Sequence, residues 1–138
     1  MAVETTLVLV KPDGVRRGLV GEVIGRLERR GYELRGARLL KIPRLLAAQH
    51  YAEHKGKPFY PGLVSFITSG PVLALAVRGE DAIAGVRALM GATNPADALP
   101  GTMRGDLATE LSENIVHGSD SKASGRRELA LFFPDGFV

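Results

Sequence analysis

One histidine near the C-terminus, His117, ends the apolar pair Ile115-Val116 and is followed by Gly118, Ser119, Asp120 and Ser121. Imidazole is the ordinary side chain that changes charge near neutral pH, so its neutral form can attack phosphorus without a separate base. The second ring nitrogen then needs a carboxylate partner. Gly118 leaves the ring's face open, and Ser119, Asp120 and Ser121 supply small oxygen-bearing side chains. Taken alone, a histidine at a strand end is more often a local hydrogen-bonding group than a nucleophile. The nucleophile reading therefore depends on what the rest of the chain brings to it.

Lys11 begins Lys11-Pro12-Asp13-Gly14, where Pro fixes φ and Gly is free to take positive φ, a turn that holds the lysine at the mouth of a strand. Arg87, Thr93 and Arg104 could present two guanidinium groups and a hydroxyl from one wall, which suits a polyphosphate tail. Singly, such a lysine is usually solvated and such arginines usually form surface ion pairs. Tyr51 and Phe59 flank a basic, glycine-containing bend in a chain with only 6% aromatic residues. Core packing is the ordinary use of a single aromatic, but Phe59, between Pro58 and Tyr60, could offer an exposed ring on which a nucleobase stacks. His50 and His54 stand four apart, as in a helical zinc site. In the metalloprotease motif a glutamate follows the first histidine, whereas Tyr51 does here, and no further ligand is evident. Both histidines read as partly exposed polar side chains, and no residue reads as a metal ligand.

The elements that must position these groups follow from periodicity. Thr5 to Val10 is a β-branched, almost wholly apolar run, as expected of a central strand covered on both faces. Val20, Val23, Ile24 and Leu27 mark one stripe of a helix that Gly31 can end. Glu33 to Ile42 mixes apolar and basic residues and predicts a less covered strand. Helices are predicted from about Arg44 to Tyr51 and from about Tyr60 to Thr68, making a helical hairpin. Val72 to Val77 predicts a third strand, and Asp81 to Met90 a helix with Ile83, Val86 and Met90 inward. The stretch from Gly91 to Asp106 reads as a long Gly- and Pro-rich loop, of the kind that is commonly functional. Lys122 to Phe133 reads as a closing helix with Leu129, Phe132 and Phe133 buried, from which Glu128 could reach back to His117.

Composition narrows the classes. At 138 residues the chain fits one domain. It is 45% hydrophobic and 24% charged, with no apolar run of membrane-spanning length. Its first residues lack the basic and apolar parts of a signal peptide, so a cytoplasmic location is expected. The absence of cysteine excludes disulfides, thiolate catalysis and cysteine-ligated metals. A net charge of +3 could suggest nucleic acid, but the basic residues are scattered, a pattern better suited to small anions.

Together, Lys11-Pro12-Asp13-Gly14, the loop with Gly91-Ala92-Thr93 and Pro100-Gly101-Thr102-Met103-Arg104-Gly105-Asp106, and Asn114-Ile115-Val116-His117-Gly118-Ser119-Asp120-Ser121 closely resemble the nucleoside diphosphate kinase family, in order and over essentially the whole chain, 1–138. The resemblance implies a ferredoxin-like α/β sandwich: a four-stranded antiparallel sheet with helices on one side, assembled as a homo-oligomer, a hexamer or tetramer. It implies a nucleotide site of Lys11, Phe59, Arg87, Thr93, Arg104 and Asn114, with Tyr51 near the transferring phosphate. Phe59 would stack on the base, Lys11 and Asn114 would meet the sugar hydroxyls, and Arg87, Thr93 and Arg104 the phosphates. His117 would be phosphorylated on Nδ1, with Glu128 and Ser119 fixing the ring. Magnesium would sit chiefly on the nucleotide's phosphates. The chain stops soon after Phe133, without the longer C-terminal tail some relatives use across subunit contacts, an expectation that bears on the hexamer.

Two other classes compete. A single-stranded nucleic-acid-binding module could share the fold, but the strands carry no aromatics on which bases could stack. An inactive nucleotide-sensing scaffold is opposed by intact Lys11, Arg104, His117 and Glu128.

Overall fold

A run as apolar as Leu7-Val8-Leu9-Val10 is stable only with cover on both faces. In the computed structural model, which describes residues 2–138, these four lie at the centre of the sheet and are fully buried. The elements in chain order are β1 (Val3–Val10), α1 (Pro12–Arg16), α2 (Val20–Arg29), β2 (Glu33–Leu40), α3 (Arg44–His50), α4 (Tyr60–Ile67), β3 (Val72–Glu80), α5 (Ala82–Met90), α6 (Met103–Leu107), β4 (Val116–Gly118) and α7 (Lys122–Phe132). A 3-10 turn at Ala52–His54 follows α3, and another at Pro95–Asp97 precedes α6. The four strands form one antiparallel sheet in the order β2-β3-β1-β4. This is the expected ferredoxin-like α/β arrangement.

Helices cover both faces of the sheet, not one. Val8, Val10, Leu73, Leu75 and Val77 meet Val23 and Leu27 of α2, Val86 and Met90 of α5, and Met103 of α6. Leu7, Leu9, Ala74 and Ala76 meet Ala47 of α3, Val64 and Ile67 of α4, and Leu129 and Phe132 of α7. The reason is visible in β1 and β3: consecutive apolar residues present greasy surface above and below, and either surface left bare would forfeit about 25 cal/mol per Å².

Two local expectations are corrected. Pro12-Asp13-Gly14 does not form a simple turn but opens α1, with Pro12 where its missing N–H costs nothing. Gly14 is there for space and not for positive φ: a Cβ on it would lie 2.8 Å from Val10 Cγ1 and 3.0 Å from Ile115 Cγ2. The stretch from Gly91 to Asp106 is also not structureless, since it contains the second 3-10 turn and most of α6. Thr102 caps α6 by accepting the Gly105 N–H at 3.0 Å. The less covered strand is β2, which lies at one edge with Leu34 and Leu39 exposed.

Candidate functional site

The opposite edge carries His117. Antiparallel pairing sets it across from Leu9, and the next strand position, Gly118, faces Val8. Gly118 proves to be a packing glycine: a Cβ there would sit 3.0 Å from Met90 Sδ, so its smallness lets β4 close on α5. His117 Nε2 lies 3.0 Å from Glu128 Oε1, and the Ser119 hydroxyl donates to the same oxygen at 2.7 Å. α7 brings Glu128 there from its buried side. Burial would raise the Glu128 carboxyl, but the hydrogen bond and charge of His117 and the bond from Ser119 outweigh it and bring it down to about 2. An ionised Glu128 fixes the proton on Nε2, which leaves Nδ1 with a lone pair to offer.

His50 corrects an expectation, because it is buried and not a partly exposed polar group. Its ring packs edge-on against His117 at 4.8 Å and 82°, with Phe132 at 5.4 Å and Tyr51 at 4.6 Å. Burial, and then the neighbouring His117 charge, push it down to about 3, so it stays neutral at cellular pH. His54 belongs to the 3-10 turn beyond the end of α3, so the two histidines do not share a helix. Its ring lies 6.3 Å from Tyr51 and 5.4 Å from Phe59, which completes a line of rings from His117 out to Phe59. Phe59 is 51% exposed, with Lys57 Nζ 5.7 Å from its centroid. Burial and the Glu128 charge hold the Tyr51 hydroxyl protonated, raised to about 12.

The basic groups gather around β4. The Lys11 ammonium donates to Asn114 Oδ1 at 2.8 Å, and Asn114 Nδ2 donates to the Thr93 carbonyl at 2.8 Å. Burial and then the Arg104 charge lower Lys11 to about 8, with Asp13 opposing them. Arg104 is buried and donates to the carbonyls of Asn114, Gly91 and Val116 at 3.3, 2.8 and 2.6 Å. Burial and the nearby Arg87 charge lower it to about 10. Arg87 donates to the Gly118 carbonyl at 3.2 Å. Arg104 thus both braces the backbone and adds positive potential, and Thr93 joins the network through its backbone.

The sequence-predicted residues therefore converge on β4, with Phe59 at the exposed end of the ring line. Sequence reading missed the burial of His50, against which α7 places Phe132, and it assigned no role to Asp13 or Ile115. Asp13 Oδ2 accepts the Ile115 N–H at 3.0 Å, and Ile115 has a φ of 75°. Among the described residues, the His/Asp/Glu group compact enough to suggest a metal is His50, His117 and Glu128, with donor atoms within 4.8 Å of one another. It is mostly nitrogen, and its Glu128 oxygen is already engaged by His117 and Ser119.

With this geometry established, comparison with known proteins gives one consistent family. The family model described as nucleoside diphosphate kinase matches residues 4–137. A nucleoside diphosphate kinase from Thermus thermophilus is 57% identical over 130 residues, covering 94% of this chain and 95% of its own. One from Archaeoglobus fulgidus is 58% identical over 132 residues, covering 96% of this chain and 87% of its own. Among solved structures, a halophilic nucleoside diphosphate kinase from Halobacterium salinarum in complex with CDP superposes with a TM-score of 0.96 at 52% identity, covering 99% of this chain and 92% of that one.

Proposed function

The chain is an enzyme of the nucleoside diphosphate kinase family, and from that premise we propose that it moves a γ-phosphoryl group from a nucleoside triphosphate to a nucleoside diphosphate through a phosphohistidine on His117. The observation that carries this reading is the pairing of His117 Nε2 with the Glu128 and Ser119 couple, which frees Nδ1 for attack. In the first half-reaction the Nδ1 lone pair forms a bond to the γ-phosphorus while the bond to the β–γ bridging oxygen breaks, and the diphosphate leaves with that electron pair. The proton stays on Nε2, where the Glu128 carboxylate stabilises the cationic ring. An acceptor diphosphate then takes the group by the reverse displacement, which makes the cycle ping-pong.

Phosphoryl transfer asks chiefly for in-line positioning and neutralised oxygen charge. Arg87, Arg104 and Thr93 would meet the phosphates, Lys11 and Asn114 the sugar hydroxyls, and the Tyr51 hydroxyl would lie near the transferring group. The exposed Phe59 ring would stack on the base without reading its edge, which supports broad base specificity. The CDP in the Halobacterium relative supports a nucleotide ligand of this kind. Magnesium prefers oxygen ligands, whereas the compact group at His117 is nitrogen-rich, so the ion would be carried on the nucleotide's phosphates, where it neutralises charge. The chain would work as one kinase domain over 1–138 in the cytoplasm, and no helix among the described residues is long and apolar enough to cross a membrane. The exposed Leu34 and Leu39 on the edge strand β2 support assembly into a homo-oligomer, for which the family resemblance implies a hexamer or tetramer.

The test is incubation with magnesium and γ-labelled ATP without acceptor, followed by intact mass. A stoichiometric, acid-labile adduct is expected, lost in His117→Asn and discharged alike by GDP, CDP and UDP. An adduct that persists in His117→Asn would overturn the assignment.

A further inference from the structure

We propose that Asp13 is a positioning residue that clamps a strained turn at Ile115 and so sets the placement of both Asn114 and His117. The proposal rests on the reading of His117 above. Ile115 has a φ of 75°, and the Val116 N–H donates to the Asn114 carbonyl at 2.8 Å across it. That is a γ-turn of the rare, strained hand, centred on a β-branched residue. Left-handed backbone at such a residue is strained and persists only where the surroundings over-determine it.

The surroundings supply that constraint from two directions. On one side, Asp13 Oδ2 accepts the Ile115 N–H at 3.0 Å, and the Ile115 carbonyl accepts the Lys11 N–H at 2.7 Å. Gly14 allows this close approach, since a Cβ there would stand 3.1 Å from the Ile115 carbonyl oxygen. On the other side, Arg104 holds the carbonyls of Asn114 and Val116, which flank the strained residue. Asp13 is only 4% exposed, and its Oδ1 is buried without a hydrogen-bond partner. Burying a half-satisfied carboxylate is costly, and a short polar reach to one backbone N–H is what it supplies here. Without that bond Ile115 relaxes toward the β region, the peptides on either side of it rotate, and His117 Nε2 loses its 3.0 Å alignment with Glu128.

A second role for the same carboxylate would be as counter-charge to Lys11, and the variants separate the two. Asp13→Ala should slow single-turnover phosphorylation of His117 by about 10- to 100-fold. It should also shift the imidazole ¹⁵N spectrum of the nucleotide-free protein away from the Nε2–H tautomer, which a loss of stability alone would not do. Asp13→Asn, whose amide oxygen can still accept from Ile115, should recover most of the rate and the wild-type spectrum. If Asp13→Asn is as slow as Asp13→Ala, charge and not the turn is what matters, and the proposal falls. In an Ile115→Gly background, where positive φ carries no strain, adding Asp13→Ala should cost much less. An undiminished cost there overturns the clamp, and this comparison decides the matter even if Asp13→Ala alone does not fold. Failure of the wild-type protein to take up label would refute the phosphohistidine, whereas the tautomer comparison tests the clamp without any turnover.

Discussion

The two edge strands of the sheet solve opposite problems. β2 is eight residues long, pairs with β3 along its length apart from a bulge between Leu34 and Gly36, and leaves Leu39 66% exposed. β4 is three residues long, with Val116 and Gly118 buried, and its pairing with β1 is supplemented by side chains from elsewhere in the chain. Arg104 and Asp13 hold the backbone that leads into it, and Glu128 and Ser119 hold the ring it carries. β2 has the longer ladder, and its added bonds, from Arg35 to the Val138 carbonyl at 2.6 Å and from Arg38 to the Phe132 carbonyl at 2.9 Å, tie it to the C-terminal end of the chain and not to the reactive ring. A strand that must present one nitrogen within a fraction of an ångström is too short to be held by its ladder, so its geometry is set by charged groups brought from a distance.

Three experiments probe that contrast. Arg104→Ala should have the largest effect on the fold, removing three hydrogen bonds from a charged donor and lowering stability by about 3 kcal/mol in denaturant titration, with transfer falling in parallel. Unchanged stability would mean that β4 is held without Arg104.

The second experiment uses pH. Lys11 is lowered to about 8, so its charge is lost as pH rises through that value, and the KM for nucleotide should climb by up to about tenfold per pH unit above it. Stability moves the other way: between that value and the ordinary lysine range the unfolded chain binds more protons, so folding strengthens as pH rises. Lys11→Met should start with a higher KM and lack the alkaline rise. A rise that survives in Lys11→Met would assign it to another group.

The smallest effect on the chain itself is expected on the far edge. Leu39→Lys should change stability by less than about 0.5 kcal/mol and leave the phosphorylation of His117 intact, while light scattering shows a smaller assembly. An unchanged assembly would show that the open edge of β2 makes no contact between copies.

Much of the site could be read from residue order. His117 and Glu128 lie within twelve positions of one another, and a strand followed by a helix returns the carboxylate to the imidazole, so their contact was expected and is observed, whereas the bond from Ser119 was implied only by the family resemblance. The apolar runs of β1 and β3 likewise announced buried strands. Reading stopped where long-range contacts set the conformation. Nothing around His50 in sequence shows that Phe132 and His117 will enclose it, and its helical spacing from His54 pointed the wrong way. Nothing in Asn114-Ile115-Val116 signals a positive φ, which a β-branched residue avoids unless it is forced. Residue types and periodicity are local quantities, and by themselves they determined which groups could do chemistry and which strands had to be buried. The strained turn and the enclosed histidine were decided only by tertiary structure, because each depends on groups far apart in the chain, such as Asp13 and Ile115, that meet once the sheet has formed.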